Sequence, residues 1–150
     1  MGCSPAPVVD AYGRSVAARF QIPYVYNRPG PGGVFLGSVG DQSHAVRISS
    51  HNCAPMQESP VNGVDYAPDY AHAWDARPAT MSIGEEMAAL TLKDPRVRYV
   101  IYNNLGRKPN GETWTTDHPT YHVSFLPGTH DDTRPFFTQS DDLTEAEVQE

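Results

Sequence analysis

Two stretches of the chain have the residue types and the two-residue period of a β-strand. In the first, Val97, Tyr99 and Ile101 alternate with Arg98, Val100 and Tyr102, and the second, residues 122–126, places His122, Ser124 and Leu126 on one face. The opposite face of the second stretch carries only apolar side chains. Both stretches therefore predict strands, and the second predicts a strand that presents a histidine on the face opposite its apolar side chains.

The remaining elements follow from weaker patterns and from turn residues. In the first half we expect a flexible lead over residues 1–10, a short helix over 10–20, a strand over 22–26, and loops over 28–33 and 53–69. A strand over 70–74 should then end at Asp75, and a helix should start at the capping box Ser82-Ile83-Gly84-Glu85. A long hairpin connection is expected over 103–112. Residues 37–50 are ambiguous, with a helical turn over 44–47 as one reading. These patterns alone predict a mixed domain of helices and strands.

A chain of 150 residues fits a single domain. We divide it into an N-terminal lead with a short helix over residues 1–21, a main domain over 22–137, and an acidic helical tail over 138–150. The tail has two readings that the sequence leaves open, a solvated terminal helix or the start of a linker to a second module.

Composition narrows the classes of function. The formal net charge of −7 and the scattered lysines and arginines argue against a nucleic-acid binder, which usually carries a clustered basic face. No apolar run approaches the roughly 20 residues that cross a bilayer, and the first residues lack the charged and apolar regions of a secretory signal. We therefore expect no nucleic-acid partner, no membrane span and no signal peptide.

The two cysteines, Cys3 and Cys53, are expected to be free thiols. Cys3 lies in the expected flexible lead, where a stable partner is hard to place. Cys53 follows His51 by two residues and has two readings, a zinc ligand in place of His51 or a small buried thiol. The buried thiol is the more common environment.

Three separated residues carry the chemistry that the sequence suggests. His51, Asp75 and His122 supply two imidazoles and one carboxylate, which is a typical ligand set for a catalytic zinc ion with one open coordination position. Two strands can hold Asp75 and His122 rigidly on one sheet, and the loop around His51 must then fold over the same face. Spacing alone makes this trio a hypothesis, because a single histidine is more often structural.

The segments around this trio resemble the D-alanyl-D-alanine carboxypeptidase-like zinc peptidases, and specifically the phage endolysin branch of that family. The resemblance covers residues 37–136 and rests on several motifs in the family order. These are Gly37 to His44 followed by Arg47, Ser49-Ser50-His51-Asn52, Ala71-His72-Ala73-Trp74-Asp75, the stretch 94–103, and His122-Val123-Ser124-Phe125. Ala71 replaces the family's first glycine, and the interval between the first two ligands is longer than usual.

The resemblance implies an α+β fold of the Hedgehog/D,D-peptidase type, with a small, mainly antiparallel sheet, helices on one face and zinc on the other. It implies His51, Asp75 and His122 as zinc ligands and Arg47 as a group that holds a substrate carboxylate or the developing oxyanion. Arg47 as a structural ion-pair partner is an equal alternative.

The chain departs from the family just before the last ligand. The family places a histidine or glutamate there, whereas this chain has Pro119 and Thr120. His118, or Asp117 acting through water, is the expected general base. Trp114 and Tyr121 flank the site and are candidate substrate contacts. His72 is either a group that orients a ligand by hydrogen bonding or a packed polar residue.

The implied function is a zinc-dependent peptidase that cuts the stem peptide or cross-bridge of bacterial peptidoglycan. A fused wall-binding module or a phage particle would deliver it, and its location would be the host cytoplasm before release to the wall, or the virion. The alternative is a catalytically weakened relative that serves as a virion structural or wall-binding domain.

Overall fold

The computed structural model describes residues 3–40 and 47–138 and has an α+β fold. The elements in chain order are β1 (Ser4–Pro5), α1 (Pro7–Phe20), β2 (Pro29–Gly30), β3 (Gly33–Gly37), β4 (Tyr70–Ala71), β5 (Ala73–Pro78), α2 (Met81–Thr91), β6 (Val97–Tyr102), β7 (Leu105–Arg107), β8 (Thr113–Thr115) and β9 (Tyr121–Phe125). Neither described helix is long and apolar enough to cross a membrane.

Seven of the strands form one sheet in the order β2-β3-β5-β9-β6-β7-β8, and every neighbouring pair in it is antiparallel. A separate parallel pair joins β1 to β4. The expected α+β class with a mainly antiparallel sheet is confirmed.

The register of the sheet aligns four residues in one row across four strands. Gly37 of β3 pairs with Asp75 of β5, Asp75 pairs with His122 of β9, and His122 pairs with Ile101 of β6. Directly paired residues in a sheet point to the same face. The carboxylate and the second histidine of the expected trio therefore project together.

Both helices pack on the opposite face of this sheet. The ring of Tyr12, in α1, meets Trp74 and Phe125 edge to face, with centroid distances of 5.1 and 5.4 Å. The Tyr12 hydroxyl lies 2.7 Å from both Thr91 Oγ1 of α2 and the Tyr121 hydroxyl of β9. This buried hydrogen-bonded group ties the two helices to the sheet within one apolar core.

The expected flexible lead is wrong from residue 3 onward, because β1 and the first turn of α1 are ordered parts of the fold. The helix begins at Pro7, whose fixed φ angle and missing N–H suit the first helical position. Gly13 in this helix makes room for Tyr24, since a Cβ atom there would lie 2.5 Å from the tyrosine ring. The expected acidic tail over 138–150 lies outside the described residues except for its first residue.

Three other element predictions need correction. Residues 22–26 contain no strand; residues 24 and 25 are bends, and residue 26 begins a turn. Helix α2 is capped by Thr80 instead of Ser82, because Thr80 Oγ1 accepts a hydrogen bond from the Ile83 amide. The connection over 103–112 is broken by β7, which follows a two-residue turn at Asn103 and Asn104 with positive φ angles.

Cys3 and Cys53 form a disulfide, so the expectation of free thiols and the idea of Cys53 as a zinc ligand are both wrong. The parallel pairing of β1 with β4 brings residue 3 beside the loop that precedes β4, and the two Cα atoms lie 5.7 Å apart. The sequence offered no local sign of this pairing, which depends on where the N-terminal strand docks.

Removing the disulfide should destabilise the protein without unfolding its core. It closes a loop with a sequence separation of 50, for which chain entropy predicts a loss of about 4 kcal/mol in the Cys3→Ser/Cys53→Ser variant. Denaturant unfolding measures the difference, and reduced wild type should match the variant. Equal stability of oxidised wild type and variant would contradict the prediction.

Candidate metal centre

The fold brings His51, Asp75 and His122 into one cluster. Asp75 Oδ1 lies 2.9 Å from His51 Nε2 and 2.6 Å from His122 Nδ1. One ligand atom from each residue lies within 4.8 Å of the others, so the cluster could hold a metal ion. Both histidines are buried, and Asp75 is partly buried. The sequence prediction that these residues come together is confirmed.

A tight turn delivers His51 to the sheet. Ser49 Oγ accepts a hydrogen bond from the His51 amide, and the Ser49 carbonyl accepts one from the Asn52 amide. The His72 amide donates to the Ser50 carbonyl at 2.9 Å, which ties this turn to the chain just before β5. The turn that carries His51 is therefore attached to the chain that leads into the strand of Asp75.

The hydrogen bonds of the two imidazoles suit metal ligands. His51 Nδ1 lies 2.9 Å from the Ser38 carbonyl, which can only accept, so Nδ1 carries a proton, and with a metal bound the neutral ring would offer the lone pair of Nε2 as the ligand. His122 Nε2 lies 3.3 Å from Ser50 Oγ, and a proton on Nε2 leaves Nδ1 free to coordinate. Zinc takes neutral imidazole nitrogen and ionised carboxylate, so the donor set fits.

The Asp75 carboxylate and the neighbouring imidazoles stabilise each other's charged forms. Burial favours the neutral acid form of Asp75, but the two imidazoles outweigh burial and hold the carboxyl pKa well below its usual range. Burial opposes protonation of His51, but the Asp75 carboxylate outweighs it and raises the pKa of that imidazole. Without a metal, the carboxylate thus acts as the shared partner of both rings.

A cavity of about 300 Å³ opens beside the cluster, and its wall includes Arg47 and His118. His118 Nδ1 donates to the Thr120 carbonyl at 3.0 Å, which leaves Nε2 as the acceptor nitrogen of the neutral ring. The His118 ring centroid lies 5.6 Å from that of His122. Asp117 is exposed and is not among the residues that line this cavity.

Trp114 and Tyr121 were the two expected substrate contacts, and the prediction for Tyr121 is wrong. It has no exposed surface and bonds to Tyr12 and Thr91 on the helix face of the sheet. Trp114 lies in β8 and meets Tyr99 edge to face at 5.8 Å. Tyr99 in turn stacks on His122 and lines the cavity, so Trp114 supports the wall.

His72 is buried next to the site and belongs to a polar network centred on Glu58. Its Nε2 lies 3.3 Å from Glu58 Oε1, and its ring stacks on Tyr66 at 3.7 Å. Burial lowers the pKa of His72, which keeps the imidazole neutral, although Glu58 opposes that shift. Of its two expected roles, the packed polar residue agrees better with these contacts.

Glu58 is a cavity residue that the sequence did not reveal. It accepts hydrogen bonds from Arg98 Nη1 at 2.8 Å and from the Tyr99 hydroxyl at 3.0 Å. Burial favours its neutral form, but His72 and Arg98 outweigh burial and lower its pKa. Glu58 stands in a loop without periodic pattern, so its sequence context carries no signal for this position.

No protein-family model matches the chain, and no curated protein or solved structure matches it. The resemblance to the zinc peptidases therefore stays a prediction from the sequence motifs.

The Glu58 network should make stability sensitive to acid. Since the folded-state pKa of Glu58 lies below its ordinary value of 4.5, its stabilisation is complete above pH 4.5 and is lost as the pH falls through the folded-state pKa. The Glu58→Gln variant should show a flatter decline of unfolding free energy below pH 4.5 than wild type. Glu112→Gln, at an exposed position, is the matched control and should follow the wild-type curve.

Tyr121→Phe tests the assignment of Tyr121 to the core. Losing the hydroxyl removes two buried hydrogen bonds while Tyr12 and Thr91 still bond to each other, so we expect a loss of about 1 kcal/mol in unfolding free energy. Metal binding should not change, because Tyr121 lies on the other face of the sheet. Weakened metal binding with unchanged stability would reverse the assignment.

Proposed function

We propose that the protein is a zinc-dependent peptidase of bacterial peptidoglycan. The observation that carries this proposal is the His51, Asp75 and His122 cluster at the wall of an open cavity, in sequence segments that resemble the phage endolysin branch of the zinc peptidases. Two imidazoles and one carboxylate favour zinc among divalent metals.

The architecture also agrees with the Hedgehog/D,D-peptidase fold that the resemblance implies. Both helices pack on one face of the antiparallel sheet, and the cluster lies on the other face. We propose that fold for this chain.

A bound zinc ion would polarise the scissile carbonyl and make a water molecule a better nucleophile. His118 is the proposed general base, since its Nε2 is unprotonated in the neutral ring and the residue lines the same cavity. It would take the proton of the attacking water and pass it to the leaving amine. The exposure of Asp117 outside the cavity lining favours His118 over it.

Arg47 is the proposed anchor for a substrate carboxylate. Its guanidinium belongs to an exposed residue at the cavity wall, and its carbonyl accepts a hydrogen bond from Asn52 Nδ2, which ties its backbone to the His51 turn. A guanidinium matches carboxylate geometry through paired N–H groups. A positive group here also offsets the overall negative charge of the protein at the point where an anionic wall must approach.

The disulfide bears on where the protein would act. Disulfides persist outside the reducing cytosol, and the Cys3–Cys53 bond links the N-terminal strand to the loop next to His51. Of the two locations that the resemblance implies, a virion-borne protein agrees better with this bond than one held in the host cytoplasm.

A wall-binding or virion structural domain is the second candidate. Pro119 and Thr120 stand where the family places its second catalytic group, and neither side chain can act as a base. This candidate predicts metal binding and wall binding without hydrolysis.

Three variants separate metal binding from catalysis. Wild type and His118→Ala should each hold about one zinc per chain by elemental analysis, and His51→Ala/His122→Ala should hold none. Hydrolysis of purified peptidoglycan should vanish in the double variant and fall about 10²- to 10⁴-fold in His118→Ala, which is the usual contribution of a general base. His130→Ala, at a half-exposed histidine next to Asp131, is the control and should behave as wild type.

The outcomes discriminate among the candidates. Wild type that binds no metal even with zinc supplied would end the peptidase proposal. Metal binding without hydrolysis would leave the wall-binding domain. Full activity in His118→Ala would remove that residue as the base while keeping the metal centre.

A further inference from the structure

Besides the cavity whose wall includes Arg47 and His118, a second depression in the surface borders the cluster. We name them the Arg47 depression, whose walls include Arg47, Glu58 and His118, and the Tyr26 depression, whose walls include Tyr26 and Val39. Their volumes are about 300 and 340 Å³. His51 and Asp75 line both, so two of the three candidate ligands stand at the boundary between the depressions.

The two depressions differ in chemistry. Apart from the cluster residues that line both, the Arg47 depression contains Arg47, the Glu58 carboxylate and the His118 imidazole, whereas the Tyr26 depression contains Tyr26, Leu36, Val39 and Ser38 but, among the described residues, no further charged one. Tyr26 is 68% exposed and Val39 is 39% exposed. Neighbouring exposed apolar side chains that line one depression beside a polar site offer a surface on which the apolar part of a ligand can pack.

The sheet fixes the Tyr26 depression relative to the cluster. The Tyr26 ring lies against Gly37, where a Cβ atom would be 3.7 Å from the ring. Gly37 has a φ angle of 119°, which favours glycine, and it is the strand partner of Asp75. No side chain of residue 37 therefore stands between the ring and the strand of the ligand carboxylate.

The backbone around Tyr26 is also held in place. The Asn27 amide donates to the Phe35 carbonyl at 2.9 Å, which ties the turn at residues 26–27 to β3. Tyr26 and Phe35 are both among the residues lining the depression, and the Phe35 ring is anchored in the core, where it stacks on Trp74. An exposed tyrosine on a fixed backbone is well suited to bind a ligand, because little conformational entropy is lost.

We propose that the Tyr26 depression is a second substrate subsite, so that an extended wall peptide crosses the cluster and continues on both sides of the cleaved bond. The substrate class rests on the proposed function. An apolar side chain or the aliphatic stem of a residue would pack on Tyr26 and Val39, and a carboxylate would face Arg47 on the other side. Cleavage would then fall at an internal bond, since a chain that ended at the cluster would leave one depression empty.

The test compares Tyr26→Ala with Val64→Ala. Val64 is 47% exposed, similar in apolar character, and is not among the residues lining either depression. With zinc-loaded protein and purified peptidoglycan, two measurements are made: co-sedimentation with the insoluble wall, and the rate and products of hydrolysis by mass spectrometry. Zinc content and thermal midpoint check that each variant is intact.

We expect Tyr26→Ala to raise KM about tenfold, equivalent to about 1.4 kcal/mol, with kcat nearly unchanged, because the ring binds substrate and transition state alike. Co-sedimentation should weaken in parallel, Val64→Ala should match wild type, and the products should be internal fragments. Equal binding and KM in wild type and Tyr26→Ala would overturn the subsite, as would release of single terminal amino acids only.

The same experiment separates this proposal from the proposed function. Wild type that co-sediments but does not hydrolyse, with binding lost in Tyr26→Ala, would support the subsite and end the peptidase proposal. Wild type that neither binds nor hydrolyses the wall would overturn both.

Discussion

The antiparallel pairing of β5 with β9 is the constraint on which the candidate centre depends. It places Asp75 directly opposite His122 on one face and Trp74 opposite Val123 on the other. A shift of β9 by one residue against β5 would turn His122 into the core and Val123 towards the cavity. Burial of Trp74 and Val123 therefore fixes the register, and the same register brings the carboxylate and the imidazole together.

His51, the third member of the cluster, lies in a turn outside the sheet and is held near Asp75 by contacts of that turn. His51 stands in a turn held by Ser49 and by the amide of His72, and the chain that follows is pinned to the N-terminal strand by the disulfide at Cys53. Farther along, Glu58 attaches the same loop to Arg98 and Tyr99 of β6. A loop without regular structure is thus fixed at several points, which satisfies the need of a metal centre for rigid ligands.

One face of the sheet carries the apolar core, and the other carries the candidate metal cluster. The helix face contains the aromatic core and the buried group of Tyr12, Thr91 and Tyr121. The other face contains polar residues in partly open cavities, where buried charges are paired instead of packed. This division explains why Tyr121 and His122, adjacent in sequence, have unrelated roles.

Local sequence patterns were enough to predict the elements with strong periodicity and the members of the candidate metal cluster. The strand over residues 97–102 and the loop over 53–69 follow from alternation and from turn residues, and the trio of ligands follows from residue chemistry together with motif order. The strand at Asp75 was also expected, but Asp75 lies inside β5 rather than at its end.

Contacts between segments distant along the chain could not be predicted from local patterns and became visible in the folded structure. The disulfide required the docking of β1 on β4, the place of Glu58 required the fold of its loop, and the burial of Tyr121 required both helices on one face. The physical reason is common to all three: local patterns encode the conformation of a segment, whereas its partners are set by how the whole chain closes its core.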